Sequence, residues 1–190
     1  LSTTFSYRGE NVNISNPIAG APSQITDVLG DNALHGFKLS AAHDTRDSAF
    51  LATEGHFLEL SGEQVIGTYE YARAEIEAKQ YFMLHQRPDG SGRHVMSATG
   101  HVGFSGEDTP VYDNWFAGGF STMRGFAFRG ASPRVNGVTV GGRFMMLGSL
   151  EYLFPITAND MLRGVVFTDF GTVEQDVEIE DFRVSPGVGL

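Results

Sequence analysis

Phe144-Met145-Met146-Leu147-Gly148-Ser149-Leu150-Glu151-Tyr152-Leu153-Phe154 alternates with a period of two. Its even positions are Phe144, Met146, Gly148, Leu150, Tyr152 and Phe154, and its odd positions include Ser149 and Glu151. Successive side chains on a strand point to opposite faces, so the pattern predicts a strand with one apolar and one polar face. The same alternation recurs on both sides of it. Glu70 to Leu84 sets Ala72, Ala74, Ile76, Ala78, Phe82 and Leu84 against Tyr71, Arg73, Glu75, Glu77, Lys79 and Tyr81. His94 to Phe104, Phe182 to Leu190, Leu162 to Thr172 and Ala33 to Asp44 repeat it, and Leu1 to Ile14 and His56 to Ile66 do so more weakly. These segments are longer than the five or six residues usual in a soluble sheet. Several end in aromatics, as in Tyr152 with Phe154 and Tyr81 with Phe82. The fold class is therefore all-β and antiparallel. A soluble sandwich would turn the apolar face to a core, whereas a transmembrane barrel would turn it to lipid and the polar face to a wet lumen. Periodicity does not separate the two.

Composition narrows the function. The chain has 190 residues, a formal net charge of -10 and no cysteine, with a pI near 4.9. An acidic balance excludes a nucleic-acid surface, which needs clustered Lys and Arg. Without cysteine there is neither a disulfide framework nor a thiolate metal site. No apolar run is long enough for a membrane helix, but membrane strands are short, alternate and carry modest mean hydropathy. The chain opens on Leu1 and stops inside a strand-like segment at Leu190, and it reads as a fragment.

The connections differ in length. His85 to Arg93 and Pro155 to Asp160 read as short turns, while Ser15 to Asn32, Gly106 to Arg143 and Glu174 to Asp181 are longer and polar. Short turns on one rim and long loops on the other are a habit of outer-membrane barrels. The longest connection, residues 105–143, contains Trp115, Phe116, Phe120, Phe126 and Phe128, so it is expected to pack rather than to be disordered. Within it, Arg124 stands between Met123 and Phe126. An arginine so placed is expected to leave bulk water, and a buried guanidinium needs carboxylates. Glu151 and Asp169, both on the polar parity of strand-like segments, are the candidates.

Phe116-Ala117-Gly118-Gly119, Ser121 and Met123-Arg124-Gly125-Phe126 together resemble the signature of the BamA and TamA superfamily of outer-membrane assembly barrels, also described as the bacterial surface antigen family. Three further motifs follow the family's order. Asp44-Thr45-Arg46-Asp47 with Thr53-Glu54-Gly55 resembles its Asp-x-Arg turn, Leu150-Glu151-Tyr152 its glutamate-bearing strand, and Phe167-Thr168-Asp169-Phe170-Gly171 its Phe-x-Asp-x-Gly strand. Met123 replaces the usual valine, and Ala52 stands where proline is commoner, which would leave that turn less rigid. The resemblance implies that residues 1–190 are part of one sixteen-stranded transmembrane β-barrel, roughly its seventh to fourteenth strands, without the periplasmic POTRA domains. It also implies that the long loop folds into the lumen, where Arg124 is held by Glu151 and Asp169, with Gly118, Gly119, Met123, Gly125 and Phe126 forming the signature loop and Asp44, Arg46, Asp47 and Gly55 a family-type turn. The implied function is insertion and folding of β-barrel proteins in the bacterial outer membrane, through a weak seam between first and last strands. Implied partners are outer-membrane lipid, nascent β-barrel clients and the lipoproteins of an assembly complex; neither cofactor nor enzymatic activity is implied.

Two other functions stay open on the residues alone: an outer-membrane transporter of the two-partner secretion type, exporting one dedicated partner, and a soluble β-sandwich binding module. Gly118-Gly119 also suits an ordinary turn, and Asp44, Arg46 and Asp47 a turn with local hydrogen bonds. His35, His43, His56, His85, His94 and His101 show no ligand spacing, so no metal site is expected. No nucleophile elbow, phosphate loop or dinucleotide fingerprint is present.

Overall fold

The structure, a computed structural model, describes residues 1–157 and 160–190. Eight strands form one antiparallel sheet in the order β1 (Ser2–Ile14), β2 (Gly30–Asp44), β3 (Gly55–Gly67), β4 (Tyr71–His85), β5 (His94–Ser105), β8 (Phe144–Pro155), β9 (Arg163–Glu174) and β10 (Arg183–Gly189). Every segment with the alternating pattern is a strand. Each pairs with its neighbour in sequence, and the sheet is not closed on itself, with β1 and β10 at its two edges. Between β5 and β8 lie a 3₁₀ turn, Val111–Asp113, and a small hairpin of β6 (Arg134–Val135) and β7 (Val138–Thr139). A four-residue helix, Ser23–Thr26, interrupts the first loop.

The connections divide by rim. Residues 15–29, 106–143 and 175–182 leave one rim, and residues 45–54 and 86–93 leave the other, where β8 ends and β9 begins. Residues 68–70 are the exception, a tight turn on the long-loop rim. Ser105 still belongs to β5, so the long loop begins at Gly106. The short turn expected from Pro155 to Asp160 includes residues 158 and 159, which lie outside the described residues.

One face of the sheet exposes Phe37, Leu39, Leu58, Leu60, Ile76, Phe82, Met96, Phe104, Leu150 and Val166. The other is covered by the long loop. A sandwich buries the apolar face and leaves the polar one to water; here the cover lies on the opposite side. An uncovered apolar surface of this extent belongs against lipid. That rules out the soluble-sandwich reading.

Register on β8 to β10 is fitted by aromatics lying over glycines. Phe170 pairs with Gly148 and Phe154 with Gly164 across β8 and β9, and Phe167 pairs with Gly187 across β9 and β10. Each ring occupies the space where a side chain on its glycine would stand.

Parity makes a direct prediction. Leu60 lies on the apolar face and Ser61 beside it on the polar face. In the full-length protein, Leu60→Arg should cost about 2–4 kcal/mol at mid-membrane and reduce the folded fraction in outer-membrane preparations. Ser61→Arg should be tolerated, since Glu75 lies directly across the strand pair. Equal yields of the two variants would refute the face assignment.

Candidate functional site

The polar wall is not uniformly polar. Met145, Leu147 and Val173 lie on it and pack with Trp115, Ala117, Met123 and Ala131 of the loop in one buried cluster, flanked by Phe126. This apolar seat was missed in sequence because Met145 and Leu147 share a parity with Ser149 and Glu151. Backbone pairing of Trp115 with Gly142, and of Gly119 with Met123, folds the loop back on itself. Gly118 has φ +113° and lies so close to the Ala127 carbonyl that a side chain could not fit. Gly125, at φ +87°, passes tightly over the Ser185 hydroxyl. Glycine meets both demands at no steric cost.

The turn between Met123 and Gly125 aims Arg124 at β8 and β9. Its Nε donates to Asp169 Oδ2 at 2.8 Å and its Nη2 to Asp169 Oδ1 at 2.6 Å. Its backbone N–H adds a third bond to Asp169 Oδ2, at 2.9 Å. Nη2 also lies 2.6 Å from Glu151 Oε1 and 3.0 Å from Ser149 Oγ, and the Ser149 hydroxyl donates to Asp169 at 2.7 Å. The guanidinium carbon sits 3.5 Å from the centroid of the Phe167 ring, which closes one side. Register explains the convergence, because Ser149 pairs with Asp169 and Glu151 with Phe167. The structure thus brings together all three residues singled out in sequence. A planar fork suits two oxygens on one carboxylate better than an ammonium would.

A second anchor was not foreseen. Asp113, at the end of the 3₁₀ turn, accepts from Arg8 Nη2 at 2.9 Å and Arg73 Nη1 at 2.7 Å, and from the Tyr71 hydroxyl. Arg8 also reaches Glu63 at 3.2 Å and Glu10 at 2.9 Å. The Arg73 guanidinium stacks 4.3 Å from the Trp115 ring centroid. The signal available in sequence was the polar parity of Arg73; its partner depends on the path of the loop.

The Asp44-to-Gly55 turn lies on the opposite rim, away from this site. Arg46 donates to both oxygens of Asp44, at 2.9 and 2.7 Å. Asp47 accepts from the Thr53 N–H at 2.8 Å, the Thr53 hydroxyl at 2.6 Å and the Glu54 N–H at 3.2 Å. The Thr53 bonds hold the Asp47 carboxyl down at about 2. Asp47 therefore ties the turn across Ala52, and the expected loss of rigidity is offset by side-chain bonding. Gly55 begins β3 under the Thr45 carbonyl.

A sheet of long strands with a free apolar face and an arginine-bearing loop on the other is built as an outer-membrane β-barrel protein is built. The chain belongs to the Omp85 superfamily, whose domain profile matches residues 2–190. It is 27% identical over 196 residues to the outer membrane protein assembly factor BamA of Nitratidesulfovibrio vulgaris (strain Hildenborough), a match covering 98% of this chain and 24% of that protein. The chain thus spans about a quarter of the length of this curated relative. It is also similar in fold to the crystal structure of BamA from Haemophilus ducreyi lacking POTRA domains 1-3, with a TM-score of 0.68 and 19% identity, over 83% of this chain and 36% of that one. Membership of this superfamily places the sheet in the bacterial outer membrane.

The Asp113 anchor has a pH signature. Burial pushes its carboxyl up, but hydrogen bonds from Arg8 and Tyr71 and the charges of Arg73 and Arg8 outweigh this and hold it below the ordinary carboxylate range. A folded value below the unfolded one stabilises the fold above about pH 4, and the contribution disappears as pH falls through the lower folded value. Hydrogen exchange of residues 106–143 in the full-length protein, corrected for intrinsic rates, should stay flat from neutrality to about pH 4 and rise only below it. Asp113→Asn should raise it at neutral pH. A rise already complete at pH 6, or an unchanged Asp113→Asn, would count against the anchor.

Proposed function

We propose that the protein is an outer-membrane assembly factor that helps β-barrel client proteins fold into the membrane, and that Arg124, Glu151 and Asp169 regulate it by holding the long loop inside the lumen. The observation that carries this reading is the seating of the loop: one guanidinium shared between two carboxylates on adjacent strands, above an apolar patch on an otherwise polar wall. Such a contact can be exchanged but makes no covalent bond, so the work assigned to the site is conformational and not enzymatic. Outer-membrane lipid meets the apolar face. Nascent client barrels and assembly-complex lipoproteins are the protein partners, and no cofactor is needed.

Arg124→Ala in the full-length protein tests the reading. The network is partly buried, so removing Arg124 should cost less than the ~3–5 kcal/mol of a fully buried pair, and it leaves Glu151 and Asp169 uncompensated and close together. The variant should still reach the outer membrane, be cut by protease between residues 106 and 143, and assemble client barrels poorly. Arg124→Lys should restore activity only in part, because an ammonium lacks the planar fork that grips both oxygens of Asp169. Full client assembly by Arg124→Ala would remove the regulatory role. Loss of export of a single dedicated partner, with client assembly intact, would favour the secretion pore.

A further inference from the structure

Two histidines that are distant in sequence meet on the apolar face at its short-turn rim. His43 is the penultimate residue of β2 and His56 the second of β3. The register pairs His43 with Leu58, so His56 is its diagonal neighbour on the same face. His43 Nδ1 lies 2.9 Å from His56 Nε2, with ring centroids 5.0 Å apart. Their N–N contact is exposed at the strand ends, at the rim of the sheet and not at mid-face. We infer that His43 and His56 form a two-nitrogen chelate for a divalent transition cation of the kind imidazole binds.

The surrounding hydrogen bonds prepare one ligand. His56 Nδ1 is 3.1 Å from Thr45 Oγ1, which accepts the His56 backbone N–H at 3.0 Å and is placed to donate to the His56 carbonyl at 3.3 Å. In the tautomer with the proton on Nδ1, that nitrogen donates to Thr45 Oγ1 while the hydroxyl donates to the carbonyl. Nε2 then carries a lone pair. An oxygen that fixes the tautomer of a ligating imidazole is a recurrent outer-shell arrangement. In the metal-free pair, His43 Nδ1–H donates to that lone pair. On binding, the His43 proton moves through solvent to its own Nε2, so neutral His43 releases Nδ1 without net proton loss.

The spacing is compatible with one shared ion. Imidazole nitrogens bind at about 2.0 Å; two of them at a right angle are then about 2.9 Å apart, and at the tetrahedral angle about 3.3 Å. The 2.9 Å hydrogen bond already holds the two nitrogens as close as one ion would need them. A small rotation of the two rings turns both lone pairs toward one point. Among the described residues no group of three or more His, Cys, Asp or Glu is poised for a metal, so water completes the coordination. The nearby His85 and His94 are a built-in contrast. Their rings meet edge-on at 5.7 Å, and His94 Nδ1 is already 2.7 Å from the Tyr152 hydroxyl.

The test titrates copper(II) alone into the full-length protein in detergent at about pH 8, above the ordinary histidine range. Electron paramagnetic resonance reads the nitrogens on the metal. The expected result is one tightly held equivalent with two equatorial nitrogens, lost in both His43→Gln and His56→Gln and retained in His94→Gln. Heat-modified gel mobility checks that each variant is folded. Retention of the two-nitrogen signal in folded His43→Gln or His56→Gln would overturn the chelate, as would its loss in His94→Gln.

Discussion

A guanidinium withdrawn from water must have its donors answered, and in this chain that requirement decides where residues 106–143 lie. Asp169 takes three of the bonds offered by Arg124, one from the backbone and two from the side chain. Glu151 and Ser149 are reached by the same Nη2. Because the backbone N–H is among the donors, the loop main chain itself is brought down onto the wall. Met123 is then carried into the apolar patch made by Met145, Leu147 and Val173, and the tight turns at Gly118 and Gly125 follow from that close approach. Ion pairing sets the position, while burial of Trp115 and Met123 supplies the less directional share of the stability.

The loop has a second fixed point at the other side of the sheet. Asp113 ties it to β1 and β4 through Arg8 and Arg73, and Arg124 ties it to β8 and β9. The chain between these anchors spans the polar wall and links strands that are not neighbours. Separating the β1 end from the β9 end therefore requires one of two charged contacts to break. The proposed regulatory step concerns the Arg124 end; Asp113, engaged by two arginines and a tyrosine, is the more heavily tethered of the two.

Much of this was legible in sequence because period-two alternation extends across whole strands, so the parity of Glu151 and Asp169 could be read long before their geometry was known. Arg124 was marked by its apolar neighbours. What could not be read depended on pairings fixed only by the fold. Arg8 and Asp113 are far apart in sequence, and nothing local links them. Residues 68–70 contain none of the usual turn formers; the reversal rests on Gly67 at φ +139°. Asn136-Gly137, by contrast, is a plain hairpin signal inside the loop and does form the turn between β6 and β7. The histidines show the same limit: their linear spacing suggested nothing, and only the register of β2 on β3 brings His43 to His56.

The aromatic rings over glycines on β8, β9 and β10 have a mechanical meaning. If β9 slipped by one residue against β8, Phe170 would flip to the opposite face and leave Gly148 uncovered. A slip by two would drive its ring into a neighbouring side chain. Phe154 over Gly164 and Phe167 over Gly187 impose the same penalty at two further points, on both faces of the sheet. These three strands therefore resist sliding and move as a stiff plate. Compliance is left to joints without such teeth, and the irregular pairing at Met83 and His85, where β4 and β5 shift register, is one the fold supplies. A barrel wall made this way would flex at a seam within its paired strands while keeping the panel that carries the arginine site in fixed register.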